Sequence, residues 1–87
     1  MTIAEANAPL ADGINAIIKM KGMKQLYVAE KAGYGKDEFN AMLNGRKIIR
    51  ASDIPRIAEA LQVTANDIYV AGMQYIQENH SGETIAG

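Results

Sequence analysis

The stretch QLYVAEKAGYGKDEFNAMLNGR, residues 25–46, holds two short apolar-periodic runs separated by a break bounded by glycines. From Gln25 to Ala32 apolar side chains recur at helical spacing, and the run stops at Gly33-Tyr34-Gly35, where two glycines permit a tight reversal. A second run goes from Lys36 to about Asn44, with Phe39, Met42 and Leu43 as its inward positions. Gly45 supplies a residue that can take a left-handed conformation past its end. The spacing therefore predicts two helices joined by a turn of only a few residues.

On the N-terminal side, Leu10, Ile14, Ile17 and Ile18 follow one helical face, which predicts a first helix from about Pro9 to Lys21, with Asn7 as a cap and Gly22 as a stop. On the C-terminal side, a basic loop from Gly45 to Ala51 leads to Ser52, a potential cap for a fourth helix. Pro55 is tolerated there because it falls in the unbonded first turn. Ile54, Ile57, Ala58 and Leu61 line the inner face of that helix. Thr64 with Asp67 three residues later resembles a capping box and opens a fifth helix extending to about Asn79. Its apolar stripe, Ile68, Ala71, Gly72, Tyr75 and Ile76, can either seal two subunits or complete the core of one. No run alternates as a strand would, and no repeat has a fixed period. The expected fold is all-α: a compact bundle of four or five short helices. Residues 1–8 are expected to be a flexible segment, 9–79 one domain with the bihelical unit at about 25–44, and 80–87 a flexible tail.

The chain has 87 residues, 48% of them hydrophobic and 22% charged, which suits one small globular module and no large catalytic core. It has no cysteine, so disulfides and thiolate metal sites are unavailable. Its one histidine, His80, sits in the polar tail, and its two serines, Ser52 and Ser81, belong to no nucleophile arrangement. Gly33-Tyr34-Gly35 lacks the preceding strand and third glycine of a dinucleotide fingerprint. No ligand cluster for a metal is present, so neither enzyme activity, nor a cofactor, nor a metal is expected. The N-terminal residues do not read as a signal peptide and no run reaches the length of a membrane span, so a cytoplasmic protein is expected.

The net charge of −1 conceals a strong asymmetry. Residues 19–50 carry eight of the nine basic side chains against three acidic ones, a net +5, and the rest of the chain carries −6. A basic face on an otherwise acidic protein is the footprint of phosphate contact, although a cluster of solvated lysines would look the same.

Taken together, residues from about Ile14 to Tyr69 resemble the lambda-repressor-like, or Cro/repressor (XRE-type), helix-turn-helix domains. The resemblance rests on Gln25 at the start of the second helix, Ala29, Gly33 at the turn, Asn44-Gly45 after the third helix, and the apolar positions Val28, Ala32, Tyr34, Phe39 and Met42. The run Ile57-Ala58-Glu59-Ala60-Leu61-Gln62-Val63 resembles the family's fourth helix and its exit.

This resemblance implies sequence-specific binding of double-stranded DNA by a transcriptional regulator, of repressor type and from a phage or bacterium. The recognition helix, 36–44, would lie in the major groove. Lys36, Asp37, Asn40 and Ala41 would then face bases, since lysine suits guanine, asparagine adenine, aspartate cytosine, and alanine a thymine methyl. Gln25 would reach phosphate, as would Asn44, Arg46, Lys47 and Arg50 in and after the recognition helix. Asp37 and Glu38 have a second reading as carboxylates that stabilise a helix through its dipole. A homodimer reading two half-sites is expected, with Ile68, Tyr75 and Ile76 as its contacts. The other reading of the same fold is a protein-interaction module, an antitoxin-like or phage-encoded adaptor.

Three departures from the family pattern stand out. Ile18 and Leu43 occupy positions where many relatives pair an arginine with a glutamate, so an apolar contact is expected instead. Lys24 stands where serine or threonine usually caps the second helix, leaving that start less well closed. The basic loop is also slightly longer than in compact relatives.

Overall fold

The computed structural model describes residues 2–74. Its helices are α1 (Ile3–Lys21), α2 (Gln25–Ala32), α3 (Lys36–Leu43), α4 (Asp53–Leu61) and α5 (65–74), with no strand among the described residues. The fold is all-α. α2 and α3 form the bihelical unit; α4 packs on α2, and α1 packs on α3. One apolar core joins the five, built on Ile14, Val28, Phe39, Met42, Ile57, Leu61 and Ile68, each 1% exposed or less. Ile18 and Leu43 both pack against this core, so apolar burial stands where an ion pair would otherwise tie the first and third helices.

The first helix begins six residues earlier than its hydrophobic period predicts. It starts at Ile3 and carries Pro9 inside it, so residues 3–8 are helix and not the flexible segment expected of 1–8. The ladder opens with the Ala6 amide donating to the Thr2 carbonyl, 3.0 Å. Proline in a helix interior removes one rung and costs about 3 kcal/mol, so something must hold the leading turns. Asn7 does so from within the core: it is 1% exposed and hydrogen-bonded to the loop after α3, not acting as a cap.

Helix ends follow the local chemistry. α2 and α3 both close with a left-handed glycine, Gly33 (φ 85°) and Gly45 (φ 77°). In each, the next amide reaches back five residues: Tyr34 to the Ala29 carbonyl at 2.9 Å, and Arg46 to the Ala41 carbonyl at 2.8 Å. α4 ends in the same pattern with Gln62 at φ 59°, where the Val63 amide reaches the Ala58 carbonyl at 3.0 Å. Lys21 reinforces that end, its Nζ donating to the Leu61 carbonyl at 2.9 Å.

Among the helix starts, Lys24 makes no side-chain cap, as its chemistry predicts. Ser52 does not cap α4 either: its backbone is already helical (φ −70°, ψ −20°), which removes the extended geometry a capping hydroxyl needs. Asp53 closes that turn instead, its Oδ2 accepting from the Arg50 amide at 2.8 Å while its own amide donates to the Arg50 carbonyl at 2.9 Å. The Thr64–Asp67 capping box forms in both directions, at 2.8 and 3.1 Å.

α5 packs on α1 through backbone contact at two glycines. A Cβ on Gly72 would lie 1.8 Å from the Pro9 carbonyl oxygen, and one on Gly13 would lie 2.1 Å from the Ile68 carbonyl oxygen. The face bearing Ile68 and Gly72 is therefore consumed by the chain's own core, and Ile68, 1% exposed, is not free to contact a second subunit. The other expected dimer contacts, Tyr75 and Ile76, lie outside the described residues, as do His80 and the expected tail.

Candidate nucleic-acid interface

The amphipathic spacing of α3 turns Phe39 and Met42 into the core and leaves a polar ridge outside. Lys36 and Asp37 at its start are exposed, Asn40 and Ala41 are half-buried, and Asn44 is exposed at its C-cap. The four positions expected to face bases thus share one accessible side of this helix. Asn40 is held there: its Oδ1 accepts a hydrogen bond from Gln25 Nε2 at 3.2 Å, joining the first residue of α2 to the middle of α3. Gln25, expected at phosphate, is adjacent to the ridge and already engaged with it.

Beyond Asn44 the chain leaves α3 along a fixed path. The Ala41 carbonyl accepts two amides, from Arg46 at 2.8 Å and Lys47 at 3.2 Å. Ile49 is buried as an apolar peg, and Arg46, Lys47 and Arg50 on either side of it in the chain are exposed. Asn7 fastens the same segment from below, donating to the Met42 and Lys47 carbonyls and accepting from the Ile49 amide. Sequence reasoning missed this role, because a polar residue just before an apolar helical run reads as a cap.

Lys47 differs from its neighbours, since its Nζ forms an ion pair with Glu38. The bond to Lys47 holds the Glu38 carboxyl below its ordinary range. Glu38 thus has a specific partner in addition to its place in the first turn of α3, and part of the positive charge of the loop is neutralised locally. Both side chains are exposed, so the pair is weak and open to exchange.

Behind the ridge, the turn between α2 and α3 is braced through Tyr34 by two residues that no motif marked, Asp53 and Arg56. Arg56, the one basic residue outside the basic segment, lies over the Tyr34 ring at 4.2 Å. It donates from Nε to the Ala32 carbonyl at 3.1 Å and from Nη2 to the Gly33 carbonyl at 3.2 Å. Tyr34 stacks on Phe39 with centroids 6.0 Å apart and donates its hydroxyl to Asp53 Oδ1 at 2.6 Å. Partial burial and that bond push the phenol above its ordinary range. Partial burial also opposes charge on Asp53, but the bonds from the Tyr34 hydroxyl and the Arg50 amide, with Arg56 nearby, outweigh it and keep the carboxyl below its ordinary value. The turn, the start of α4 and the end of the basic loop are thereby one connected unit. The available signal for it was a lone arginine three residues after an aspartate, too common a pattern to single out.

Among the described residues no group of acidic, histidine or cysteine side chains is placed to hold a metal. No helix there is long and apolar enough to cross a membrane.

Comparison with solved structures gives a match to the clp gene regulator ClgR from Corynebacterium glutamicum, with a TM-score of 0.80 and 16% sequence identity, covering 93% of this chain and 86% of that one. At that identity the likeness shows the fold. No curated protein matches the sequence. The Cro/C1-type HTH DNA-binding domain family matches residues 14–71, two-thirds of the chain, across α2, α3 and α4. The two-helix unit, its glycine-closed turn and its outward polar ridge all lie within the matched span, and the chain belongs to the Cro/C1-type helix-turn-helix DNA-binding domain family.

Proposed function

We propose that the protein is a cytoplasmic transcriptional regulator of repressor type that inserts α3 into the major groove of duplex DNA. The observation that carries this reading is the hydrogen bond from Gln25 to Asn40, which orients a carboxamide on the accessible side of α3. A pre-oriented asparagine presents an acceptor and a donor with the spacing of adenine N6 and N7. Lys36 and Ala41 flank it as further base contacts, and Asp37 accepts from cytosine where the site offers one. Asn44, Arg46 and Arg50 hold phosphates, and Lys47 joins them when its pair with Glu38 opens.

Two copies bind together, reading half-sites about one DNA turn apart. Support for a second copy comes from the outward side of α5, where Tyr69, Val70 and Met73 are 45%, 43% and 64% exposed. Tyr75 and Ile76 are proposed as further contacts of that second copy. A chain that sediments as a monomer at micromolar concentration, both free and on DNA, would reject the dimer.

Selection of binding sequences from random duplex DNA, followed by a salt titration of the winner, tests the whole reading. Enrichment of a paired motif with a steep salt dependence is expected. Failure to enrich any sequence would favour the protein-interaction reading of the same fold.

A further inference from the structure

Asn7 is a polar side chain in the middle of an apolar core. Burying an amide costs several kcal/mol unless its groups are paired, and here they are. Nδ2 donates to the Met42 carbonyl at 3.0 Å and to the Lys47 carbonyl at 2.8 Å, and Oδ1 accepts from the Ile49 amide at 2.9 Å. The reverse orientation of the carboxamide would set its oxygen against two carbonyl oxygens and its NH2 against an amide, so the pattern admits one assignment. Its partners lie 35 to 42 residues away in sequence, all at the C-terminal end of α3 or in the loop that follows.

An apolar side chain would serve α1 equally well for packing alone. What an asparagine adds is a second tie to the Met42 carbonyl at the end of α3 and partners for two backbone groups, the Lys47 carbonyl and the Ile49 amide, in a loop with no helical or strand ladder of its own. Between the closure of α3 at Ala41 and the Arg50–Asp53 turn, the buried anchors of this loop are Asn7 and the Ile49 side chain, with the Lys47–Glu38 ion pair at the surface. Arg46, Lys47 and Arg50 are carried on the segments between those anchors. Asn7 itself lies outside residues 14–71 that match the family.

We infer that Asn7 is a positioning residue for DNA binding: it holds the basic loop in the shape that phosphates meet, so the ordering cost is met on folding and not on binding. The inference rests on the reading of that loop as the phosphate clamp. Asn7 touches no DNA, and its loss acts on every sequence alike.

The test compares Asn7→Ala with two controls, each assayed where circular dichroism shows it fully folded, by fluorescence anisotropy on the selected duplex and on an unrelated one. Leu10→Ala lowers core stability while leaving the three Asn7 hydrogen bonds to the loop in place, and Arg46→Ala removes a clamp charge. Asn7→Ala is expected to bind both duplexes about tenfold more weakly, the loss of roughly one well-made buried hydrogen bond. Folded Leu10→Ala should stay within about twofold of the parent, a difference worth well under 1 kcal/mol. Parent-like affinity in Asn7→Ala alongside a weakened Arg46→Ala would overturn the positioning role and leave the clamp reading intact. Parent-like affinity in Arg46→Ala would remove the clamp reading and the inference with it. Should Asn7→Ala fail to fold, hydrogen exchange on the parent decides: an Ile49 amide as protected as that of Phe39 supports the anchor, and one exchanging at the rate of free peptide overturns it.

Discussion

Gln25 Nε2 donates to Asn40 Oδ1 across 3.2 Å, so the side chain that opens α2 sets the orientation of the carboxamide on the face of α3. The bond uses one lone pair of Oδ1 and leaves the other, with both Nδ2 hydrogens, available to a base edge. Asn40→Ala is therefore expected to weaken binding to the selected duplex by about 1–3 kcal/mol and to relax preference at one base position. Gln25→Ala removes the orienting bond together with the expected phosphate donor, so the double variant should lose less than the two single losses added, with a coupling of about 0.5–3 kcal/mol. Titrating the four proteins against the site and its single-base variants checks this; strict additivity would show that the bond is idle on DNA.

The crossing of α1 and α5 predicts a sharp intolerance at two glycines. A methyl group on Gly72 would meet the Pro9 carbonyl at 1.8 Å, and one on Gly13 the Ile68 carbonyl at 2.1 Å, both backbone atoms with nowhere to rotate. Gly72→Ala should destabilise the fold by about 1–3 kcal/mol or more, the usual cost of overpacking, despite the better helix propensity of alanine. Urea unfolding measures it. A neutral or stabilising Gly72→Ala would mean that α5 does not pack on α1 as described.

Gln62 offers the opposite case. It is the one non-glycine residue with positive φ among the described residues, at 59°, in the position that glycine fills at the ends of α2 and α3. A side chain in that region costs roughly 1–2 kcal/mol, part of which returns as the greater unfolded-state freedom of glycine. Gln62→Gly should raise stability by about 0.5–1 kcal/mol, seen as a higher urea midpoint at unchanged m.

Asp53 ties stability to acid pH. Its folded carboxyl titrates below the ordinary value of 3.8, because its bonds to the Tyr34 hydroxyl and Arg50 amide and the nearby Arg56 outweigh the opposing effect of burial. A depressed carboxylate contributes stability above the unfolded value and loses it as pH falls through the folded one. Asp53→Asn should therefore be less stable than the parent near pH 7, with the gap closing as pH drops from about 5 towards 2. Unfolding curves across that range check the sign, and a gap that widens in acid would contradict it.

How far the residues announced this arrangement differs between elements. α2 was legible to the residue and α3 to within one residue at its end, because period, glycine stop and apolar spacing all agree over 25–46. The leading turns of α1 were not, since a proline and a polar Asn7 before the apolar run are local signs of a helix start, and the bonds that override them reach over 35 residues along the chain. The same limit applies to Ser52, where a backbone angle set by the Arg50–Asp53 turn cancels a capping preference. On α5 the apolar stripe was visible, but its owner was not: two glycines decide that α1 covers its Ile68–Gly72 part, and glycine carries no hydrophobic signal. The polar ridge of α3 was readable from spacing; the pairing of Lys47 with Glu38 across nine residues, which divides otherwise equivalent cations, was not.

That pairing separates the cations of the loop experimentally. Arg46→Ala should weaken all DNA sequences similarly and reduce the magnitude of the salt slope by about 1, as expected for one phosphate contact. Lys47→Ala should do less, because the charge of Lys47 is already partly neutralised by Glu38 and the complex must first break the ion pair. Glu38→Gln removes the competing carboxylate and a negative charge beside the recognition helix at once. It should tighten binding severalfold, with a salt slope steeper by up to about 1. In the Glu38→Gln background, Lys47→Ala should then cost as much as Arg46→Ala does in the parent. Anisotropy titrations from low to physiological salt give all four slopes. Were Lys47→Ala to cost the same with and without Glu38, the ion pair would have no hold over the DNA-facing charge.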